Sequence, residues 1–283
     1  MTDLFSVWRG NAPLLISMPH SGTLIPADIA ADMTVAALQM PDVDWHLPHL
    51  YDMATQTGAT VLSAHPMRYV IDLNRPKDDA SLYPGQDTTG LCPIDTFSKQ
   101  PIYKPQRQPN TAEIQRRIQQ YWQPYHHQIS MELQRLHAMH GIAVLLEAHS
   151  IASQVPRFFS GKLPDLNFGT ADTHSCARGL QVALESTMQD YTRLSQEKPA
   201  QYKSFSYVFN GRFKGGYITR HYGMPAKHIH AIQLEISQCT YMHEAPPYDY
   251  QPALADTLKP LLSTIMATCI TWAQQTTSTN RST

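Results

Sequence analysis

Five short apolar runs, at residues 14–18, 59–62, 69–73, 142–146 and 229–236, set the tightest limit on what this chain can fold into. Each has the length of a strand. Val and Ile recur in them, and they run continuously instead of alternating, as strands buried on both faces do. Helical stretches lie between them. Residues 42–58 look helical in their second half and close at Gly58, a glycine placed to stop a helix. From Asn110 the pattern is clearer. Asn110 and Glu113 form a capping-box pair, and Ile114, Ile118, Tyr121, Tyr125, Ile129, Leu133 and Leu136 follow at helical spacing. Pro124 is expected to kink or split that helix, and Gly141 to end it. A last helix over 252–274 carries Leu254, Leu258, Leu261, Ile265 and Ile270. Strands alternating with helices predict an α/β fold, a three-layer sandwich around a mostly parallel sheet.

The 283 residues suit a single domain spanning 1–283. Residues 76–109 are Pro-rich and read as one long loop, and such a loop in a compact domain is usually functional. The polar tail 275–283 is expected to fray. Lys plus Arg total 22 and Asp plus Glu 23, a balance that argues against a nucleic-acid partner. No apolar run reaches the roughly 18 residues of a membrane span. The first ten residues lack the basic and apolar regions of a signal peptide. Cys92, Cys176, Cys239 and Cys269 are too scattered for a zinc ribbon or a disulfide framework. A soluble, cytoplasmic protein is expected, of oligomeric state that the sequence leaves open.

Sites in open α/β sheets form at the carboxyl ends of strands. After run 14–18 come Pro19, His20, Ser21 and Gly22. After 69–73 come Asn74 and Arg75. After 142–146 come Glu147, Ala148, His149 and Ser150, and Glu235 lies within the last run. A single histidine at a strand end is commonly structural, and Arg75 can simply cover a sheet edge. Asp42 and Asp44 can serve as helix-entry caps. A glutamate inside an apolar strand is harder to set aside, because a buried carboxylate must be paired or functional. His65, His126, His127, His137, His140 and His174 read as surface or core histidines. Gly215 and Gly216 form either a plain turn or a mobile rim beside Arg220 and His221. Histidines, a carboxylate ligand and a separate glutamate are the parts of a catalytic zinc site. An arginine next to it suits a substrate carboxylate, which a guanidinium holds in a two-bond fork.

The order of "PHSGTLIP", "DVDWHLPHLYD", "RYVIDLNRP", "LYPGQ", "LLEAHSIAS", "GKLPDLNFGT", "GRFKGGYITRHYG" and "HAIQLEISQCTYM" closely resembles the bacterial N-formylglutamate amidohydrolases over about residues 14–244. The resemblance implies hydrolysis of N-formyl-L-glutamate to formate and L-glutamate, the last step of a histidine degradation route. It also implies a fold similar to zinc-dependent exopeptidases, and one divalent metal, zinc or else cobalt. His20 and His149 are then the histidine ligands. Carboxypeptidases place a glutamate ligand three residues after the first histidine, but Thr23 stands there in this chain. Asp44 is the expected third ligand, with Asp42 and His46 as alternatives. Glu235 matches the carboxypeptidase general base. Asn74 and Arg75 resemble the pair that holds a substrate carboxylate, and Arg68, Arg157 and Arg220 are candidates for a second one. The partner implied is a small dicarboxylate. Two other readings fit the same residues: a related zinc amidohydrolase acting on another N-acyl amino acid or peptide, and a non-catalytic carboxylate-binding protein.

Overall fold

Seven strands among the described residues pair into one sheet: β1 (Phe5–Trp8), β2 (Leu14–Met18), β3 (Thr60–Ala64), β4 (Ala143–Ile151), β5 (Leu166–Gly169), β6 (Tyr207–Phe209) and β7 (Ile229–Ser237). They come from a computed structural model that describes residues 3–81, 85 and 87–281. The order across the sheet is β1-β3-β2-β4-β7-β5-β6. β2 pairs parallel with β3 and β4, β4 with β7, and β5 with β6. β1 runs antiparallel to β3, and β5 antiparallel to β7, so the sheet is mixed with a parallel centre. The helices are α1 (Ala27–Ala30), α2 (Val35–Leu38), α3 (Leu47–Leu50), α4 (Thr111–Arg117), α5 (Gln123–His140), α6 (Arg178–Glu197), α7 (Tyr217–Tyr222) and α8 (Pro252–Arg281).

Both faces of the sheet are covered. On one, Leu14, Ile16, Val144, Leu146, Ile232 and Leu234 pack with Leu180 and Leu184 of α6 and Leu258 and Leu262 of α8. On the other, Leu15, Leu145 and Ala231 pack with Ile129, Leu133 and Leu136 of α5. This explains the unbroken apolar runs: β2 and β4 have no exposed residue at all. By length and composition α8 is the one described helix that could cross a membrane. Its Ala255, Leu258, Leu261, Leu262, Ile265, Met266, Cys269 and Ala273 are all fully buried against the sheet and its neighbours, which makes it a core helix.

Several sequence expectations are corrected. Residues 69–73 form a turn, not a strand. Their side chains are buried, but their backbone is satisfied without a ladder. Asp72 N–H donates to Leu91 O, and Tyr69 and Val70 carbonyls accept from Tyr103 Oη (3.2 Å) and Arg117 (3.0 Å). The helix expected in the second half of 42–58 is the single turn α3 and a 3-10 segment, Asp52–Thr57, closed by Gly58 at φ 78° as anticipated. The long central helix is interrupted by one π turn, Ile118–Trp122, immediately before Pro124, whose missing N–H cannot continue the α ladder. α8 continues to Arg281, past the point where the tail was expected to fray. β1, β5, β6 and α6 were not anticipated, although α6 carries Leu180, Leu184, Met188 and Tyr191 on one face. The four cysteines are free thiols.

Candidate active site

The register of β4 and β7 builds the site. Glu147 lies opposite Gln233, and His149 opposite Glu235. Along the α5-facing side of the sheet, Leu145 and Ala231 give way to these four polar residues toward the carboxyl ends. The reverse side stays apolar, with Ala148 and Ile236 fully buried. β2 ends beside them, so His20 emerges at the same edge, its ring centroid 4.8 Å from that of His149.

The third group comes from the segment between α2 and α3. Asp44 Oδ2 lies 2.9 Å from His149 Nδ1 and 3.9 Å from His20 Nδ1, and it accepts from Ser150 N–H. One ligand atom from each of His20, Asp44 and His149 falls within 4.8 Å of the others, and all three side chains are buried. The far nitrogen of each ring is tied to a buried carboxylate. His20 Nε2 is 2.6 Å from Asp72 Oδ1, and His149 Nε2 is 2.7 Å from Glu147 Oε1. Each carboxylate is itself anchored. Asp72 accepts from Arg68 at 2.8 Å, and Glu147 from Thr219 N–H at 3.0 Å and from the Thr219 hydroxyl. A ring whose Nε2–H is held by a carboxylate presents Nδ1 as the lone pair. A tetrahedral ion with bonds near 2 Å needs ligand atoms roughly 3.3 Å apart, and this trio brackets that spacing. Asp44, Asp72 and Glu147 pair with the two rings, with Arg68 the guanidinium within ion-pair distance of Asp44 and Asp72, a surplus of acid that suits a divalent cation.

The electrostatics follow from burial and pairing. Burial, helped by the Arg68 charge, lowers the pKa of His20. Burial acts the same way on His149, but Glu147 and Asp44 outweigh it and raise that pKa well above the usual histidine value. Burial works against ionisation of Asp72, yet His20 and Arg68 hold its pKa well below the ordinary range. Among the described residues Glu235 accepts from Gln233 Nε2 alone, at 3.1 Å, and burial pushes its carboxyl up to about 8.

His20, Asp44, Arg68, His149, Gln233 and Glu235 line a cleft that opens to solvent. A profile of the N-formylglutamate amidohydrolase family matches residues 12–242. The chain belongs to the N-formylglutamate amidohydrolase family. The N-formylglutamate deformylase of Pseudomonas aeruginosa is 44% identical over 275 residues, covering 97% of this chain and 99% of that protein. That of Pseudomonas putida is 43% identical, covering 97% and 98%. A crystal structure of N-formylglutamate amidohydrolase from Ralstonia eutropha is similar with a TM-score of 0.75 and 26% identity, covering 96% of this chain and 97% of the other.

Within this family member the cleft gathers His20, Asp44, His149, Glu235, Asn74, Arg75 and Arg68. It does not gather the others singled out from sequence. Asp42 is spent on Tyr69 Oη (2.5 Å) and Phe97 N–H (2.8 Å). His46 donates from Nε2 to Tyr248 O, and Thr23 is exposed outside the cleft. Arg157 is bound to Asp87 and Asp95, and Arg220 donates to Gly215 O away from the lining. Arg68 lines the cleft, but its charge is matched by Asp72 and it stacks 4.7 Å over Phe97. Asn74 is held by Ile218 N–H on its Oδ1 and places Nδ2 3.1 Å from His149 Nε2.

The Gly215–Gly216 segment is bound to this machinery. Gly216 N–H donates to Gln233 Oε1 at 2.7 Å, and a Cβ on Gly216 would sit 2.3 Å from Asn74 Nδ2. A glycine is required there for close approach. His126, read as an ordinary histidine, is buried and donates from Nε2 to Leu73 O, propping the turn that leads into Asn74. The long loop contributes Thr88, Thr89 and Phe97 to the cleft. Apart from Gly85, the "LYPGQ" motif lies outside the described residues. Asp72, Gln233 and Arg212 were missed. The signal for Asp72 and Gln233 was their spacing, each two residues from a residue already singled out.

Proposed function

We propose that this chain hydrolyses N-formyl-L-glutamate to formate and L-glutamate, with one divalent metal held by His20, Asp44 and His149 through Nδ1, a carboxylate oxygen and Nδ1. Zinc is the expected ion, given its preference for mixed imidazole and carboxylate ligands. The observation that carries this is the double pairing of both ring Nε2 atoms with buried carboxylates, which leaves two Nδ1 atoms turned toward one Asp44 oxygen. When bound there, the ion would polarise the formyl carbonyl and acidify water.

The chain's own groups supply the rest. Glu235 Oε takes the proton of the attacking water and passes it to the glutamate nitrogen as the C–N bond breaks. A carboxyl lifted by burial toward the working pH is matched to both tasks. Arg75 grips a substrate carboxylate, its own fork fixed by Thr89 O, Thr89 Oγ1 and Asn74 O. Asn74, next to it in the chain, lies 3.1 Å from His149, which sets that anchor beside the metal ligands, so that holding the substrate also places its formamide. The layout has a zinc-exopeptidase character: ligands and base at strand ends, the anion anchor on a loop beside them. The cytoplasm is the proposed compartment, in keeping with four unpaired thiols, and breakdown of histidine the proposed context.

The test is direct. Purified protein should release formate and glutamate from N-formylglutamate in equal amounts, carry about one divalent ion per chain by elemental analysis, and lose both ion and turnover to a chelator. N-acetylglutamate and peptidyl substrates should be poor. Equal turnover of those would leave a broader amidohydrolase, and binding without turnover would leave a carboxylate-binding protein.

A further inference from the structure

The substrate carries two carboxylates, and one well-placed arginine can neutralise only one. Of the arginines lining the cleft, Arg68 is already matched by Asp72. Arg75 and Arg212 remain, and among the described residues neither pairs with a carboxylate. Arg212 follows β6 and is half-buried. Its Nε donates to Phe158 O at 2.6 Å, which fixes the plane of the guanidinium, and its head lies 5.7 Å from the Phe213 ring. The two terminal nitrogens are left for a ligand, in the fork that matches a carboxylate.

We infer that Arg212 is the second anion anchor and takes the γ-carboxylate of the substrate, while Arg75 takes the α-carboxylate. This rests on the deformylase reading above. The assignment of ends follows from what each arginine is tied to. Arg75 directly follows Asn74, whose side chain lies 3.1 Å from His149, and so belongs beside the scissile amide and the α-carbon. Arg212 is held by Phe158, whose ring packs edge-on against Phe97 at 4.9 Å, and Phe213 flanks it. Phe158, Phe97 and Phe213 give the cleft an apolar wall, which suits the two methylenes of a glutamate side chain and ends at a cation.

The experiment compares kcat/KM for N-formylglutamate and N-formylglutamine in the parent enzyme, Arg212→Ala, Arg212→Lys and Arg75→Ala. The two substrates differ only at the γ-position, so their ratio cancels losses from misfolding or lower metal content. The parent should prefer the glutamate form by about 10²-fold, the scale of one desolvated charge pair. Arg212→Ala should collapse that ratio to within several-fold, Arg212→Lys should restore part of it, and Arg75→Ala should slow both substrates and keep the ratio. A parental preference that survives Arg212→Ala, or that vanishes in Arg75→Ala instead, overturns the assignment of Arg212. A parent with no preference overturns the dicarboxylate reading itself, and the role of Arg212 falls with it.

Discussion

Glu147 and Glu235 are the same residue type, buried on adjacent strands and on the same side of the sheet, yet they are set up for opposite work. Glu147 is fully enclosed and both its oxygens are taken, one by His149 Nε2 and the other by Thr219. Glu235 faces the cleft with one weak bond from Gln233. A carboxylate with both oxygens engaged by donors can only position its partners. One that is desolvated and under-bonded holds its proton to higher pH and can exchange it. Partner supply, not sequence context, separates the two carboxylates.

The largest effect expected from breaking this contrast is at Glu235. Glu235→Gln keeps the shape and removes the base, so kcat should fall about 10²–10⁴-fold while metal content stays at parental level. Loss of the ion in that variant would make Glu235 a ligand instead. The second test removes the support. Glu147→Ala strips the anchor from His149 Nε2 and leaves Thr219 N–H without its acceptor, so metal affinity measured against a competing chelator should drop about 10–100-fold. Unchanged affinity would show that His149 needs no such anchor.

The smallest effect is on stability. Glu235 has its carboxyl raised to about 8 from an ordinary 4.5. Between those values the metal-free folded protein retains a proton that the unfolded chain has released. Its stability should therefore fall as pH rises from 4.5 to 8, by up to about 1.4 kcal/mol per pH unit from this group. In urea unfolding of chelator-treated protein, Glu235→Gln should gain on the parent steadily toward pH 8. Parallel curves for the two proteins would mean that Glu235 is not desolvated as described.

The positions of His20, Asp44, His149 and Glu235 were legible because buried polar residues stand out inside or just after apolar runs. The arginines were not. Arg157 and Arg220 were singled out from the sequence and Arg212 was not, and only the chain path shows that Asp87 and Asp95 consume Arg157 while the Phe158 carbonyl holds Arg212 at the cleft. The 69–73 segment misled for a related reason. Its apolar composition reports burial, and burial does not specify whether backbone groups are satisfied by a neighbouring strand or by Arg117 and Tyr103.

By itself the sequence determined the parallel centre of the sheet, the carboxyl edge as the place of chemistry, and the residue types gathered there. Hydrophobic periodicity and strand-end position are local properties, and they survive being read along a line. The tertiary structure alone decided which nitrogen of each histidine is presented, which of Asp42 and Asp44 joins the cluster, and which arginines remain unspent. Those depend on hydrogen-bond partners far along the chain, 52 residues for Asp72 and His20 and 105 for Asp44 and His149. Only folding brings such pairs within 3 Å.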